Sequence, residues 1–263
     1  MVPDSLKDQV QVSVPFSLLV KYYLPTFLQR RLNPEISIDA DSLEQCSQAD
    51  FAQVARQFQE AGLIITLHAP FQDLWPGALD GLIRSASRTR LKEALALLEI
   101  FQPSSIVCHL AYDDNYYHHC QDLWLDHSLA TWGEMAALAA EYNTRLMLEN
   151  VREPHPHLLL SLFSRLTASN VGFCLDVGHL QAFAGGRFQD WLEVLWPYVE
   201  ELHLHDNHGQ ADEHLALGAG IVPFALILNF LAAKGRRPLI TLEPHQEESL
   251  EPSLAYLADI WPW

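Results

Sequence analysis

Lysine and arginine are scarce in this sequence: 16 against 33 aspartates and glutamates, a formal net charge of −17 over 263 residues. A surface so acidic repels nucleic-acid phosphates and anionic lipid headgroups, so neither nucleic acid nor a membrane is an expected partner. The four cysteines, Cys46, Cys108, Cys120 and Cys174, are scattered with no CxxC pair. That argues against a disulfide framework or a cysteine-ligated zinc site and suits free thiols in a reducing compartment. No apolar run approaches the ~20 residues of a membrane helix. The opening MVPDSLKDQV has neither the basic nor the apolar region of a signal peptide. Together these absences predict a soluble, cytoplasmic protein. GxGxxG, P-loop, GxSxG and Cys–His nucleophile patterns are also missing, so no nucleotide cofactor and no covalent intermediate are expected. Nothing in the sequence sets an oligomeric state.

What is present is a sizeable apolar content, 49%, arranged as alternating short and long segments. Strands are predicted at QVQVSV (9–14), EISIDA (35–40), LIITLHA (63–69), SIVCHLA (105–111), RLMLEN (145–150), VGFCLDV (171–177), ELHLHD (201–206) and LITLEP (239–244). Amphipathic helical stretches lie between them, such as FAQVARQFQEAG, TRLKEALALLEIF, LATWGEMAALAAEY and FALILNFLAAKG, with Gly62 and Gly235 where helices would stop. Eight strand-then-helix units in a chain of this length predict an α/β fold, a single (β/α)8 TIM barrel spanning residues 1–263 as one domain. An open doubly wound sheet would carry a Gly-rich turn after its first strand, and VPFSLLVKYY has no glycine there.

In a barrel the functional residues gather at the C-terminal ends of the strands. There the sequence places His68, His109, Glu149, Asp176 with His179 three residues on, His203, then Asp212 and His214 in the following loop, and Glu243. A lone strand-end histidine is more often a structural hydrogen-bonding group, and a lone Asp or Glu is often a helix cap. Six consecutive strands delivering imidazole or carboxylate to one rim are hard to explain by capping. A buried carboxylate cluster is also costly unless cations neutralise it. The pattern therefore predicts a site for divalent metal, one to three ions per chain. Mixed oxygen and nitrogen donors without thiolate suit zinc foremost, with manganese or iron as alternatives. Within LHLHDNHGQADEH, His205 shares the strand parity of His203 and is expected at the rim, contacting substrate or supporting a ligand; His208 reads as loop. Phe71 and Trp75 are candidates to stack on a sugar face, and Arg152 is the best-placed cation for an anionic group.

The strings HAPF (68–71), LEN (148–150), LDVGH (175–179), HLHDN (203–207), DEHLALGAG (212–220) and TLEP (241–244) resemble the xylose-isomerase-like TIM-barrel superfamily. That group includes sugar and sugar-phosphate isomerases and epimerases, and the endonuclease IV type of AP endonuclease (family 2). The resemblance covers strands three to eight. Its mononuclear epimerases imply a metal held by Glu149, Asp176, His203 and Glu243, with His179 beside the substrate. Glu149 and Glu243 would then act as the catalytic acid and base. Its trinuclear zinc members imply further ligands at His68, His109, His179, Asp212 and His214. The DNA-binding half of that second comparison has no counterpart, since the loop after HAP reads FQDLWPGALD, acidic and apolar. The expected function is a metal-dependent isomerase or epimerase of a small sugar, sugar phosphate or polyol. The alternative is a multinuclear phosphoesterase acting on a small molecule.

Overall fold

The computed structural model describes residue 6 and residues 9–263. Most of MVPDSLKDQV, the segment read for a signal peptide, lies outside the described residues. Eight parallel strands close in sequence order into a barrel: β1 (Val10–Pro15), β2 (Asn33–Ser37), β3 (Thr66–His68), β4 (Ser105–His109), β5 (Arg145–Glu149), β6 (Val171–Asp176), β7 (Val199–Leu204) and β8 (Leu239–Leu242). Around them run α1 (Leu24–Arg30), α2 (Gln48–Glu60), α3 (Gly81–Leu95), α4 (Gln121–Glu141), α5 (Pro156–Arg165), α6 (Val177–Phe183), α7 (Phe188–Leu195), α8 (Phe224–Ala233) and α9 (Leu250–Asp259). The fold is the (β/α)8 TIM barrel. Among the described residues no helix is long and apolar enough to cross a membrane.

Strand alternation sorts the side chains into two environments. Ile106 and Cys108, Leu146 and Leu148, Phe173 and Leu175, Leu202 and Leu204, and Ile240 and Leu242 are buried in the layer between sheet and helices. The other parity turns into the barrel, and there the lining is largely polar. Ser105 on β4 donates to Glu201 on β7 at 2.9 Å, and Thr241 on β8 donates to Glu35 on β2 at 3.0 Å. Neither of these strand pairs is adjacent, so the contacts run through the interior. A small apolar plug of Val107, Met147 and Cys174 completes the filling. Burial, and then the Glu35 charge, push Glu201 up to about 8.

Helix boundaries follow local capping. Ser47 and Asp50 form a reciprocal capping box at the start of α2. Gly62 follows that helix with φ +65°, in the left-handed region that glycine adopts without penalty. The stretch TRLKEALALLEIF is read from sequence as one helix, but α3 begins earlier and breaks before Leu98–Phe101. The Asp80 carboxylate accepts the Leu82 and Ile83 N–H groups and so sets the earlier start. β3 is shorter than predicted, and β7 ends at Leu204, leaving His205 and Asp206 just past the strand.

Candidate metal centre

Each rim residue is delivered by a strand end or the loop that follows it. His109 and Glu149 are register partners across β4 and β5, and Asp176 and His203 across β6 and β7. Asn150, the last residue of LEN, clamps the next strand end: its side chain accepts the Asp176 N–H and donates to the Asp176 carbonyl, both at 3.0 Å. Asp176 also caps α6, accepting the His179 N–H at 2.6 Å. Gly178 in LDVGH has a steric reason. A Cβ there would lie 2.0 Å from the His205 ring, which fills the space against α6.

Glu149 is the hub. Its Oε2 lies 3.1 Å from His68 Nε2 and 3.2 Å from His109 Nε2, while its Oε1 lies 3.2 Å from His179 Nδ1 and 3.7 Å from His203 Nδ1. The two oxygens of one buried carboxylate thus face two different clusters. Glu243 Oε1 approaches the same His203 Nδ1 at 3.1 Å. In the loop after β7, Asp212 Oδ2 lies 3.4 Å from His179 Nε2 and 3.3 Å from His214 Nε2. Among the described residues five groups have ligand atoms within 4.8 Å of one another; one, Glu35, Glu201 and His203, lies inside the barrel, and three lie at the rim: His68, His109 and Glu149; Glu149, Asp176 and His203; and His179, His205, Asp212 and His214. The fifth, Asp176, His205 and Glu243, links the last two.

Three histidines are oriented by backbone carbonyls. His68 Nδ1 faces the Ala69 carbonyl at 2.8 Å, His179 Nδ1 the Asn150 carbonyl at 3.0 Å and His214 Nδ1 the Glu243 carbonyl at 3.2 Å. A proton on each Nδ1 leaves the Nε2 lone pair turned towards the shared carboxylates. His214 holds this position with φ 50°, a left-handed backbone that ordinary residues avoid.

The buried polar atoms fit divalent ions. His203 Nδ1, His205 Nδ1 and Asp212 Oδ1 are buried with no hydrogen-bond partner among the described residues, and all belong to the clusters. Such atoms are costly to bury unmet, and a cation meets them. The set has carboxylate and imidazole donors only, the mixture that zinc, manganese and iron accept. Without ions, protons fill the role. Burial would raise the Glu149 carboxyl, but His109 and His203 outweigh it and hold it well below the usual range. Burial would lower His179, yet Asp176 and then Asp212 and Glu149 hold it well above an ordinary imidazole.

A cavity of about 630 Å³ opens over this rim, lined in part by His68, His109, Glu149, His179, Asp212 and Glu243. Asp176, His203 and His205 lie fully buried beneath it. His205, expected at substrate or behind a ligand, stacks on His214 with ring centroids 3.7 Å apart and offers Nδ1 to Asp212 at 3.5 Å. Phe71 lines the cavity and stacks on His109 at 4.4 Å. Trp75 instead packs against Tyr116 and Tyr117, and Arg152 lies over the Phe183 ring at 4.6 Å; neither lines that cavity. His208 is an exposed loop residue paired with Glu213. The sequence reading missed His245, which lines the cavity and stacks on His214 at 3.7 Å, and the interior glutamates Glu35 and Glu201. A glutamate within a strand, NPEIS for Glu35 and VEELHL for Glu201, was the available signal for that pair.

A family model described as xylose isomerase-like TIM barrel matches residues 35–260. The chain belongs to that family. Among curated relatives, the uncharacterized protein MJ1311 of Methanocaldococcus jannaschii is 26% identical over 186 residues, 68% of this chain and 64% of its own length. Protein y4fM of Sinorhizobium fredii, also uncharacterized, is 26% identical over 162 residues, 58% of this chain and 51% of its own length. The chain therefore spans between half and two thirds of these relatives. Among solved structures, the TTHB071 protein from Thermus thermophilus, from a ZnCl2 soak, superposes with TM-score 0.83 at 26% identity, covering 96% of this chain and 98% of that one. A D-tagatose 3-epimerase-like protein shares the fold with TM-score 0.82 at 22% identity, covering 96% of each chain.

Proposed function

We propose that this family member is a divalent-metal-dependent epimerase or isomerase of a small, unphosphorylated sugar. One observation carries the reading: Glu149 from β5 and Glu243 from β8 both line the cavity and converge on one atom, His203 Nδ1, at 3.7 and 3.1 Å. Two carboxylates so placed can remove a proton from one face of a carbon beside a carbonyl and return one to the other face. Glu149, Asp176, His203 and Glu243 would hold the ion. When bound, it supplies Lewis acidity that polarises the substrate carbonyl and its neighbouring hydroxyl. Phe71, stacked on His109 at the cavity wall, gives the sugar an apolar face to lie on. The solved sugar-epimerase-like neighbours support this choice of substrate class.

Charge around the cavity favours a neutral substrate. Among the described residues Arg90 is the one arginine or lysine lining it, and it is ion-paired with Glu44 at 2.6 Å and Glu93 at 2.9 Å. Asp39, Asp73 and Asp212 add negative charge to the same lining. Arg152 is engaged with Phe183 instead.

A second reading, a multinuclear phosphoesterase, is favoured by one feature: the His68–His109–Glu149 and His179–His205–Asp212–His214 groups lie beside the first. Metal content per chain, measured with activity on a panel of ketoses and phosphomonoesters, separates the two. One ion with ketose turnover is expected. Two or three ions with phosphate release would establish the hydrolase. Asp212→Ala should leave the metal content of the epimerase unchanged and lower that of the hydrolase.

A further inference from the structure

His203 differs from the other rim histidines in what lies behind it. His68, His179 and His214 each turn Nδ1 to a backbone carbonyl. His203 instead presents Nδ1 to Glu149, Asp176 and Glu243, and Nε2 points down into the barrel. There it lies 3.3 Å from Glu35 Oε1 on β2, and both residues are completely buried. Both atoms are buried without a hydrogen-bond partner among the described residues, so the 3.3 Å contact is a close ion-pair approach that a small turn of the ring would close into a hydrogen bond. The remaining Glu35 oxygen is fixed by the Thr241 hydroxyl at 3.0 Å and the Thr66 hydroxyl at 3.5 Å. The Cys174 thiol also lies beside the His203 ring, but a thiol is a weak acceptor.

We infer that Glu35 is a positioning residue for the metal centre, accepting the His203 Nε2 proton from inside the barrel so that the Nδ1 lone pair faces the rim. The inference rests on reading His203 as a ligand. An imidazole can bind an ion through Nδ1 only with its proton on Nε2, and a buried N–H needs an acceptor. Of the two carboxylates in this interior cluster, Glu35 is the one paired with Nε2, at 3.3 Å, while Glu201 accepts from the Ser105 hydroxyl at 2.9 Å. Thr241 and Thr66 hold the Glu35 carboxylate in place, so strands β2, β3, β7 and β8 together set the ring orientation. Glu35 itself lies outside the lining of the cavity.

The test compares zinc affinity, by chelator competition, in wild type, Glu35→Gln, Glu35→Met, Cys174→Ala and His203→Ala. Glu35→Gln keeps an amide oxygen for the His203 N–H and should stay within a few-fold of wild type. Glu35→Met removes the acceptor and should weaken zinc binding by about 10–100-fold. A second readout is independent of overall folding: zinc-loaded wild type and Glu35→Gln should show a slowly exchanging His203 Nε2–H proton resonance. Loss of stability in Glu35→Met with unchanged zinc affinity would overturn the inference, as would Cys174→Ala reproducing the Glu35→Met loss. If His203→Ala leaves zinc affinity unchanged, His203 is not a ligand, and the proposed centre falls with the inference. If His203→Ala weakens binding while both Glu35 variants match wild type, only the role of Glu35 fails.

Discussion

Replacing Asp206 with asparagine should unlock the loop that carries Asp212 and His214. Asp206 is fully buried just past β7, and its carboxylate takes backbone donors on both oxygens. Oδ1 accepts from Asn207 at 2.9 Å and Val222 at 3.0 Å, and Oδ2 from Gly218 at 3.0 Å and Gly220 at 2.9 Å. Gly220 is there because a Cβ would lie 2.4 Å from the same carboxylate. In Asp206→Asn, whichever way the amide turns, its NH2 faces two N–H donors that have lost their acceptor. Hydrogen bonds to a charged group contribute about 1.5–3 kcal/mol each, so the change should cost about 3–6 kcal/mol. At about 2–4 °C per kcal/mol for a chain of this size, the melting temperature should fall by on the order of 10 °C. Urea denaturation reads the loss globally. Amide hydrogen exchange reads it locally, as faster exchange at Asn207, Gly218, Gly220 and Val222. A variant within about 1 kcal/mol of wild type, with those amides still protected, would refute the reasoning.

Gly178→Ala should cost about 1–3 kcal/mol, measured by denaturation, because the new methyl must displace the His205 ring now 2.0 Å from its position. A neutral result would mean that His205 does not pack there. Metal binding should release protons, since His179 and His203 are held well above the usual imidazole value of 6.5. Apparent affinity should therefore rise with pH through neutrality, and calorimetry in buffers of different ionisation enthalpy should show net proton release. The same raised values stabilise the metal-free fold fully below 6.5 and lose that contribution as pH climbs through the folded values, so the stripped protein should weaken on the alkaline side. Chelation should lower the melting temperature: an ion present at about 100 times its Kd adds about 2.7 kcal/mol, or about 5–11 °C.

The features legible in the sequence are those governed by strand periodicity. Alternation fixed which face His109, Glu149 and Asp176 take, so strand ends could be read as rim positions from the sequence alone. Trp75 and Arg152 sit in connecting segments, where direction is set by Tyr116, Tyr117 and Phe183, partners that no local pattern reveals. Glu35 meets Thr241 across 206 positions of sequence and through the inside of the barrel. Only closure of the sheet brings them together. His205 lies just past the end of β7, and its stack on His214 depends on the turn that Asp206 imposes.

The most direct test of a proton-transfer epimerase is solvent exchange. Metal-loaded protein incubated with ketohexoses in D2O should introduce deuterium at the carbon beside the carbonyl, read by NMR and mass spectrometry. Glu149→Gln and Glu243→Gln should each abolish the exchange. Unexchanged sugars across the panel, together with release of phosphate from phosphomonoesters by the same preparation, would contradict the proposed function.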